Sequence, residues 1–236
     1  VTQTVHLPVV ALRETCRVAG GRVPLWRWHR ERLGAGGVAE SVLAAVDQLV
    51  AARASEWAGA PTHRARLTVV VAPDGGVTVE VTQQLSSLDV PSGPTVARVD
   101  IAAAPPLPVP AAKPADRSWW DVAHKRATDA GTRQAIIVAP DGTIVDGSTS
   151  AVWISHHGTL FTPPSPPAIP SVSVAFVRSQ ARDAGLDVRV EPLIWERFLA
   201  AEEAFLTNAF GGAAQVRGRG GAGFSAVAKL FADAWR

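Results

Sequence analysis

The 236-residue sequence has one cysteine, no methionine and no tyrosine. A lone thiol, Cys16, cannot build a disulfide scaffold. It falls on an expected strand without activating neighbours, so it reads as a small buried hydrophobe. No stretch approaches the ~18–20 uninterrupted apolar residues of a spanning helix, so no membrane role is expected. No basic segment followed by an apolar one marks a secretory leader, and the cytoplasm is the expected location. Charge of either sign is not in surplus: 23 Lys and Arg face 21 Asp and Glu, for a net of +2. Without a basic block to track a phosphate backbone, nucleic acid is not an expected partner. There is no G-x-S-x-G, no Walker loop and no zinc-ligand spacing.

Two motifs read as bland. Gly218, Gly220 and Gly223 spell G-x-G-x-x-G, but only 13 residues follow Gly223. That leaves no room for the acidic residue of a dinucleotide-binding βαβ unit, and a surface loop is expected. His156 and His157 are adjacent, and neighbours on a strand point to opposite faces. They are expected in a solvated hairpin turn, and no metal is assigned.

Hydrophobic residues are plentiful, at 47% of the chain, which excludes disorder. Residues 9–18 read as a strand closed by Gly20-Gly21, with a short edge segment at 23–25. The segment 26–33 follows, ended by Gly34, Gly36 and Gly37. Val42, Leu43, Val46, Leu49 and Val50 give 39–57 the spacing of an amphipathic helix. Residues 65–72 and 77–84 flank Asp74-Gly75-Gly76 as a β-hairpin. The Pro-rich stretch 90–114, Pro106 included, holds one strand (95–103) and otherwise connects two halves. A helix is expected over 114–130, with Pro114 in its first turn and Gly131 past its end. Four short strands follow as a meander (135–139, 143–146, 151–154, 159–162). Then come a helix (172–184), a strand (187–191), a short helix (194–201) and a strand (204–207). Hairpins without strict βαβ alternation argue an α+β fold. The expected division is an N-terminal subdomain 1–104, a connector 105–114 and a C-terminal subdomain 115–236.

Five segments in fixed order carry a family resemblance. They are LWRWHRERL (25–33), AAKPADRSWW (111–120), APDGTIVDGSTSAVWI followed by LFTPP (139–164), IPSVSVAFVRSQARDAGLDVRVEPL (169–193) and AEEAFLTNAFGGAAQV (201–216). Together they resemble the class IV aminotransferases, the pyridoxal-phosphate enzymes of fold type IV. That family includes branched-chain and D-amino-acid aminotransferases and 4-amino-4-deoxychorismate lyase. The resemblance implies a two-subdomain fold with a small N-terminal α/β half and a larger β-rich C-terminal half. It implies pyridoxal 5'-phosphate as cofactor, a small amino substrate and a homodimer.

Its site residues carry over one by one. The chain has three lysines, Lys113, Lys125 and Lys229. Lys113 falls at the position of the lysine that holds the cofactor covalently. Asp146 stands where the family places a glutamate beside the pyridine nitrogen; an anion there raises the nitrogen's pKa. The arginine of the family's H-x-x-R-L pattern is Arg32, whose planar fork matches phosphate oxygens. Val172 and Ser173 occupy the family's G-I-T segment at a helix start, where free N–H groups favour an anion. Ser173 is also read there as a candidate N-cap. Asn208 and Ala209 complete the phosphate cup, and Ser148 and Thr149 line the ring edge.

Departures are Asp146 itself, Val174 for an arginine and Ala151 for an asparagine. About a dozen residues precede Arg13-Glu14-Thr15, which echoes the family's F-E-T strand. Part of the substrate pocket is therefore expected to be missing or supplied by the partner subunit. Thr207-Asn208-Ala209 looks like the lyase group, and Ser148-Thr149-Ser150 like D-amino-acid aminotransferases. The implied reaction is conversion of 4-amino-4-deoxychorismate to 4-aminobenzoate and pyruvate. The alternatives are transamination of branched-chain or D-amino acids, or a non-catalytic paralogue with the same fold.

Overall fold

The computed structural model describes residues 8–59, 65–84, 86, 88–103, 105 and 107–236. Pro106 lies outside the described residues. The chain divides into two units. One comprises Val1–Gln84, Leu107–Asp116 and Trp235–Arg236; the other comprises Leu85–Pro106 and Arg117–Ala234.

The first unit is built on an antiparallel sheet in the order β1 (Leu12–Val18), β2 (Ala65–Val71), β3 (Val77–Gln83). Period-2 alternation on β1 buries Leu12, Glu14, Cys16 and Val18 on one face. β2 and β3 form the expected hairpin, and Gly76 N–H donates to Asp74 Oδ1 (2.9 Å) to close its turn. Against the buried face pack α1 (Trp26–Ala35) and α2 (Glu40–Ser55). α2 buries Leu43, Val46, Val50 and Ala54, the helical spacing visible in the sequence. Residues 26–33 are thus helical, and 23–25 form a turn rather than an edge strand.

Pro114 is not in the first turn of a helix. It bridges Leu12 of β1, where Arg13 N–H donates to the Lys113 carbonyl (3.0 Å) and Ala115 N–H to the Ala11 carbonyl (2.8 Å). The backbone groups flanking Pro114 are therefore committed to the sheet edge, and the helix starts four residues later.

In the second unit, β4 (Val96–Asp100), β5 (Gln134–Val138) and β6 (Ile144–Gly147) form one sheet, with α3 (Ser118–Asp129) packed on it. β4 pairs in parallel with β5, so it serves this unit rather than the N-terminal half. The five-stranded sheet contains β7 (Ala151–His156), β8 (Thr159–Thr162), β9 (Asp187–Val190), β10 (Glu203–Asn208) and β11 (Gly212–Gln215), in the order β11-β10-β7-β8-β9. The expected four-strand meander is therefore split between two sheets. The turn at Gly147 makes the break: a Cβ there would sit 2.2 Å from the Ser150 carbonyl oxygen, so only glycine lets the chain fold back so closely.

Three helices complete the unit: α4 (Val172–Gln180), α5 (Trp195–Ala200) and α6 (Ala222–Ala234). α4 stops short of 184; a turn through Gly185 (φ 65°) closes it, with Leu186 N–H donating to the Ala181 carbonyl (2.8 Å). β11 and α6 were not expected. Gly218 and Gly220 lie in the expected surface loop, while α6 takes in Gly223 and buries Val227 and Phe231. Its first turn is held by Glu203, which accepts from Gly223 N–H (3.0 Å) and Phe224 N–H (2.8 Å). That carboxylate fills the anion position a helix start offers, which leaves G-x-G-x-x-G no phosphate to bind. Among the described residues, no helix is long and apolar enough to cross a membrane.

Candidate functional site

In the first unit, Arg32 and Lys113 border β1. Glu14 lies buried on the core face of that strand, and a carboxylate there must be paired. Two partners come from α1. Arg32 Nε donates to Glu14 Oε1 (2.8 Å), and its Nη2 donates to Oε2, a two-pronged pair. His29 Nδ1 lies 2.6 Å from Glu14 Oε2. Burial alone would raise the Glu14 pKa, but the Arg32 charge and the His29 contact together hold it at about 2. Burial pushes His29 toward its neutral form against the pull of Glu14. A neutral imidazole donating through Nδ1 leaves only a lone pair at the buried, unpartnered Nε2. The triad therefore fixes the Arg32 guanidinium, whose side chain is only 9% exposed.

Glu14→Gln keeps the shape and removes the charge opposite Arg32. It is expected to cost about 3–5 kcal/mol in urea unfolding. The Glu14 contribution is present above its unfolded value near 4.5 and is lost as pH falls toward about 2.

Lys113 Nζ donates to Thr15 Oγ1 (3.4 Å) on β1. The other two lysines stand on solvated helix faces. Lys125 is 74% exposed and pairs with Asp129 (2.8 Å); Lys229 is 71% exposed and pairs with Asp233 (2.5 Å). Cys16 is fully buried, and burial followed by the Glu14 charge pushes its thiol up, as an inert core residue requires.

In the second unit, Asp146 ends β6 and receives three N–H groups. Gly147 N–H donates to Oδ1 (2.9 Å); Trp120 Nε1 (3.3 Å) and Ile169 N–H (3.4 Å) donate to Oδ2. These donors, and the charge of Arg117, favour the anion. Desolvation of the carboxyl outweighs them and raises its pKa to about 7. Trp120 and Arg117 were not read as site residues. Trp120 sits on the buried face of α3 with Ala123 and Ala127, a helical spacing that the sequence does display.

Ser148 and Thr149 hold the turn after Asp146. Thr149 Oγ1 donates to Gln134 Oε1 (2.8 Å). Ser148 Oγ donates to the same oxygen (3.3 Å), accepts from Ala135 N–H (3.2 Å) and lies 3.1 Å from His124 Nδ1. Arg117 Nη2 donates to the Ser148 carbonyl (2.6 Å).

Val172 and Ser173 begin α4, and the N-cap is Ser171, not Ser173: the Ser171 hydroxyl accepts from Val174 N–H (3.3 Å). Ser173 is instead the middle of a hydroxyl line. Ser171 Oγ and Ser173 Oγ lie 2.8 Å apart, Ser173 Oγ and Thr207 Oγ1 lie 2.8 Å apart, and Trp153 Nε1 donates to Thr207 Oγ1 (2.9 Å). The line joins the start of α4 to the end of β10. Asn208 follows directly. Its Nδ2 donates to the Thr149 carbonyl (3.2 Å), and its Oδ1 accepts from Phe210 N–H (3.1 Å) and Gly211 N–H. Asn208 thus ties the Asp146 turn to the turn containing Ala209, which is itself buried. Asp146, Ser148, Thr149, Val172, Ser173, Asn208 and Ala209 belong to this unit, and Arg32 and Lys113 to the other.

The family model for amino-transferase class IV matches residues 11–218. The chain belongs to the class IV aminotransferases, a family of enzymes. No curated protein matches it in sequence. Among solved structures, a hypothetical aminotransferase from Mycobacterium tuberculosis, in its alpha-ketoglutarate- and PMP-bound form, is similar at a TM-score of 0.83 and 20% identity, over 99% of this chain and 93% of that one. The branched-chain aminotransferase from Thermoproteus uzoniensis with norvaline gives 0.75 and 21%, over 94% and 84%. The branched-chain amino acid aminotransferase from Escherichia coli gives 0.72 and 18%, over 92% and 82%. At such identities the likeness establishes the fold, which is fold type IV.

Proposed function

We propose that this chain is a pyridoxal-phosphate enzyme acting on the amine of a small amino substrate. The observation that carries this reading is Asp146. Its carboxyl has three N–H donors and the charge of Arg117 acting on it, yet burial raises its pKa to about 7. A protonated pyridine nitrogen is the cation such a group would stabilise. The donors around it fit the rest of the cofactor. The first-turn N–H groups of Val172 and Ser173 have no carbonyl partner within α4 and suit a phosphate. The Ser173–Thr207 hydroxyls and the turn at Asn208 and Ala209 would border it, with Ser148 and Thr149 acting through the turn they hold. From the first unit, Arg32 would face the phosphate, and Lys113 would hold the cofactor covalently.

When bound, the cofactor supplies an electron sink for negative charge developing in the substrate. Asp146 would keep the ring nitrogen protonated, the state in which that sink is strongest. Lys113, displaced by the substrate amine, would take a proton from the carbon bearing that amine and deliver it where the reaction ends. Ser173→Ala removes one hydroxyl beside the phosphate. It is expected to weaken cofactor binding about tenfold, measured by fluorescence titration.

For the overall reaction we infer the elimination that converts 4-amino-4-deoxychorismate to 4-aminobenzoate and pyruvate. Thr207-Asn208-Ala209 supports it. In this reaction Lys113 removes the ring proton, the enolpyruvyl C–O bond breaks, and the departing enolpyruvate takes up a proton to become pyruvate. The second reading is transamination, favoured by the likeness to branched-chain aminotransferases. The assay supplies aminodeoxychorismate and cofactor without a keto acid. Pyruvate release supports the elimination; amino transfer that requires 2-oxoglutarate overturns it. A homodimer is part of the same proposal. Val190, Ile194 and Leu199 of the second unit, all at least 40% exposed, are apolar surface that a partner would cover. Sedimentation at two concentrations tests it.

A further inference from the structure

His156 and His157 do not point to opposite faces. His156 ends β7, but His157 has left the strand: its φ is 49°, followed by Gly158 at 77°. Two positive-φ residues in a two-residue loop make a type I′ turn, the form that matches strand twist in a hairpin. The turn brings the two imidazoles to the same side, with ring centroids 4.1 Å apart.

A third group arrives from the neighbouring strand. β10 pairs with β7 so that Glu203 faces Ser155, which sets Glu202 beside the end of β7. Its carboxylate is oriented by the turn, since His157 N–H donates to Glu202 Oε2 (3.1 Å). The other oxygen, Oε1, lies 3.3 Å from His157 Nδ1 and 3.7 Å from His156 Nδ1. One ligand atom from each of the three residues lies within 4.8 Å of the others.

The 3.3 Å spacing matches a coordination shell, and the 3.7 Å one is slightly wider. Tetrahedral bonds of about 2.0–2.1 Å place neighbouring ligand atoms about 3.3–3.4 Å apart. We propose that His156, His157 and Glu202 form a surface site for a divalent first-row transition ion, with zinc as its default occupant. Imidazole nitrogen selects zinc, copper or nickel over magnesium and calcium, which favour oxygen alone. Three protein ligands leave one tetrahedral position to water. The ion would clasp the β7–β8 turn to the entry of β10. At its far end β10 carries Thr207 and Asn208, so the clasp would stabilise the strand that presents them. This site stands on its own residues and does not depend on the reading of the catalytic chemistry.

The test titrates zinc chloride by calorimetry into the full chain and into His156→Ala, His157→Asn and Glu202→Gln. All three residues are at least 49% exposed, so the variants should fold. Asparagine tolerates the left-handed backbone at 157. The wild type is expected to bind one zinc per chain and to gain melting temperature as zinc is added. Each variant should bind roughly tenfold more weakly or worse, because even residues that only support metal ligands are worth about 10–100-fold. Absence of saturable binding in the wild type overturns the proposal. So does equal affinity in all four proteins.

Discussion

Lys113→Ala is expected to remove the covalent attachment of pyridoxal phosphate while leaving a folded protein. Lys113 is half-buried, and its backbone carbonyl, which accepts from Arg13 N–H, survives the substitution. Its side chain donates to Thr15 Oγ1 across a long 3.4 Å. The stability cost should therefore be small and the chemical cost large. A positioned proton-transfer group contributes about 10²–10⁴-fold, and loss of the covalent anchor adds to that. Turnover should fall by at least this factor. Lys125→Ala and Lys229→Ala, on exposed i,i+4 pairs, should leave turnover unchanged. Steady-state kinetics on the three variants makes the comparison. A wild-type rate in Lys113→Ala would remove the residue from the mechanism.

The second large effect belongs to Asp146, and its sign in the cofactor-free protein is opposite to that of Glu14. The folded pKa of Asp146 is about 7, against an ordinary value of 3.8. Between these values the folded chain holds a proton that the unfolded chain has released. Stability from this group is therefore greatest below about pH 4 and falls as pH rises to about 7, by up to about 4 kcal/mol. Residual solvent exposure of Asp146 makes that figure an upper bound. Glu14 acts in a lower window, between about 2 and 4.5, where stability rises with pH. Urea unfolding of apoprotein from pH 4 to 8 should thus show a decline that Asp146→Asn abolishes. Bound cofactor should flatten it as well, because a protonated ring nitrogen keeps the carboxylate charged. Asp146→Asn should lower turnover about 10²–10³-fold, since an amide cannot hold a proton on that nitrogen. A pH-independent apoprotein would mean that burial does not raise the pKa of this carboxyl.

How much of this was legible in the sequence depends on the range of the interactions. The β2–β3 hairpin and α2 were readable because alternation, a glycine turn and helical spacing are local. The start of the helix after Lys113 was not: Pro114 looks like a first-turn proline, but the neighbouring Lys113 and Ala115 are held by Arg13 of β1 and by Ala11 just before it, about a hundred residues earlier. α6 was hidden by its glycine-rich lead-in, and the carboxylate that caps it, Glu203, lies some twenty residues upstream. The meander broke at Gly147 because a single turn sends the chain into a second sheet.

The site followed the same rule. Lysine scarcity and motif order pointed to Lys113. Only the fold reveals that Glu14 and His29 fix Arg32, that Trp120 and Ile169 feed Asp146, and that Asn208 is committed to two turns. The histidine pair lies in the expected solvated hairpin turn, but its side chains do not diverge. The rule that strand neighbours diverge holds, but His157 is the first turn residue, and one positive φ reverses the expectation.

The most direct test of the account is chemical. Purified protein would be incubated with pyridoxal phosphate, reduced with borohydride, digested and mapped by mass spectrometry. The account predicts a visible absorbance band that reduction removes, with the phosphopyridoxyl group on the peptide containing Lys113 and absent from those containing Lys125 and Lys229. Unmodified Lys113 in protein saturated with cofactor would contradict it.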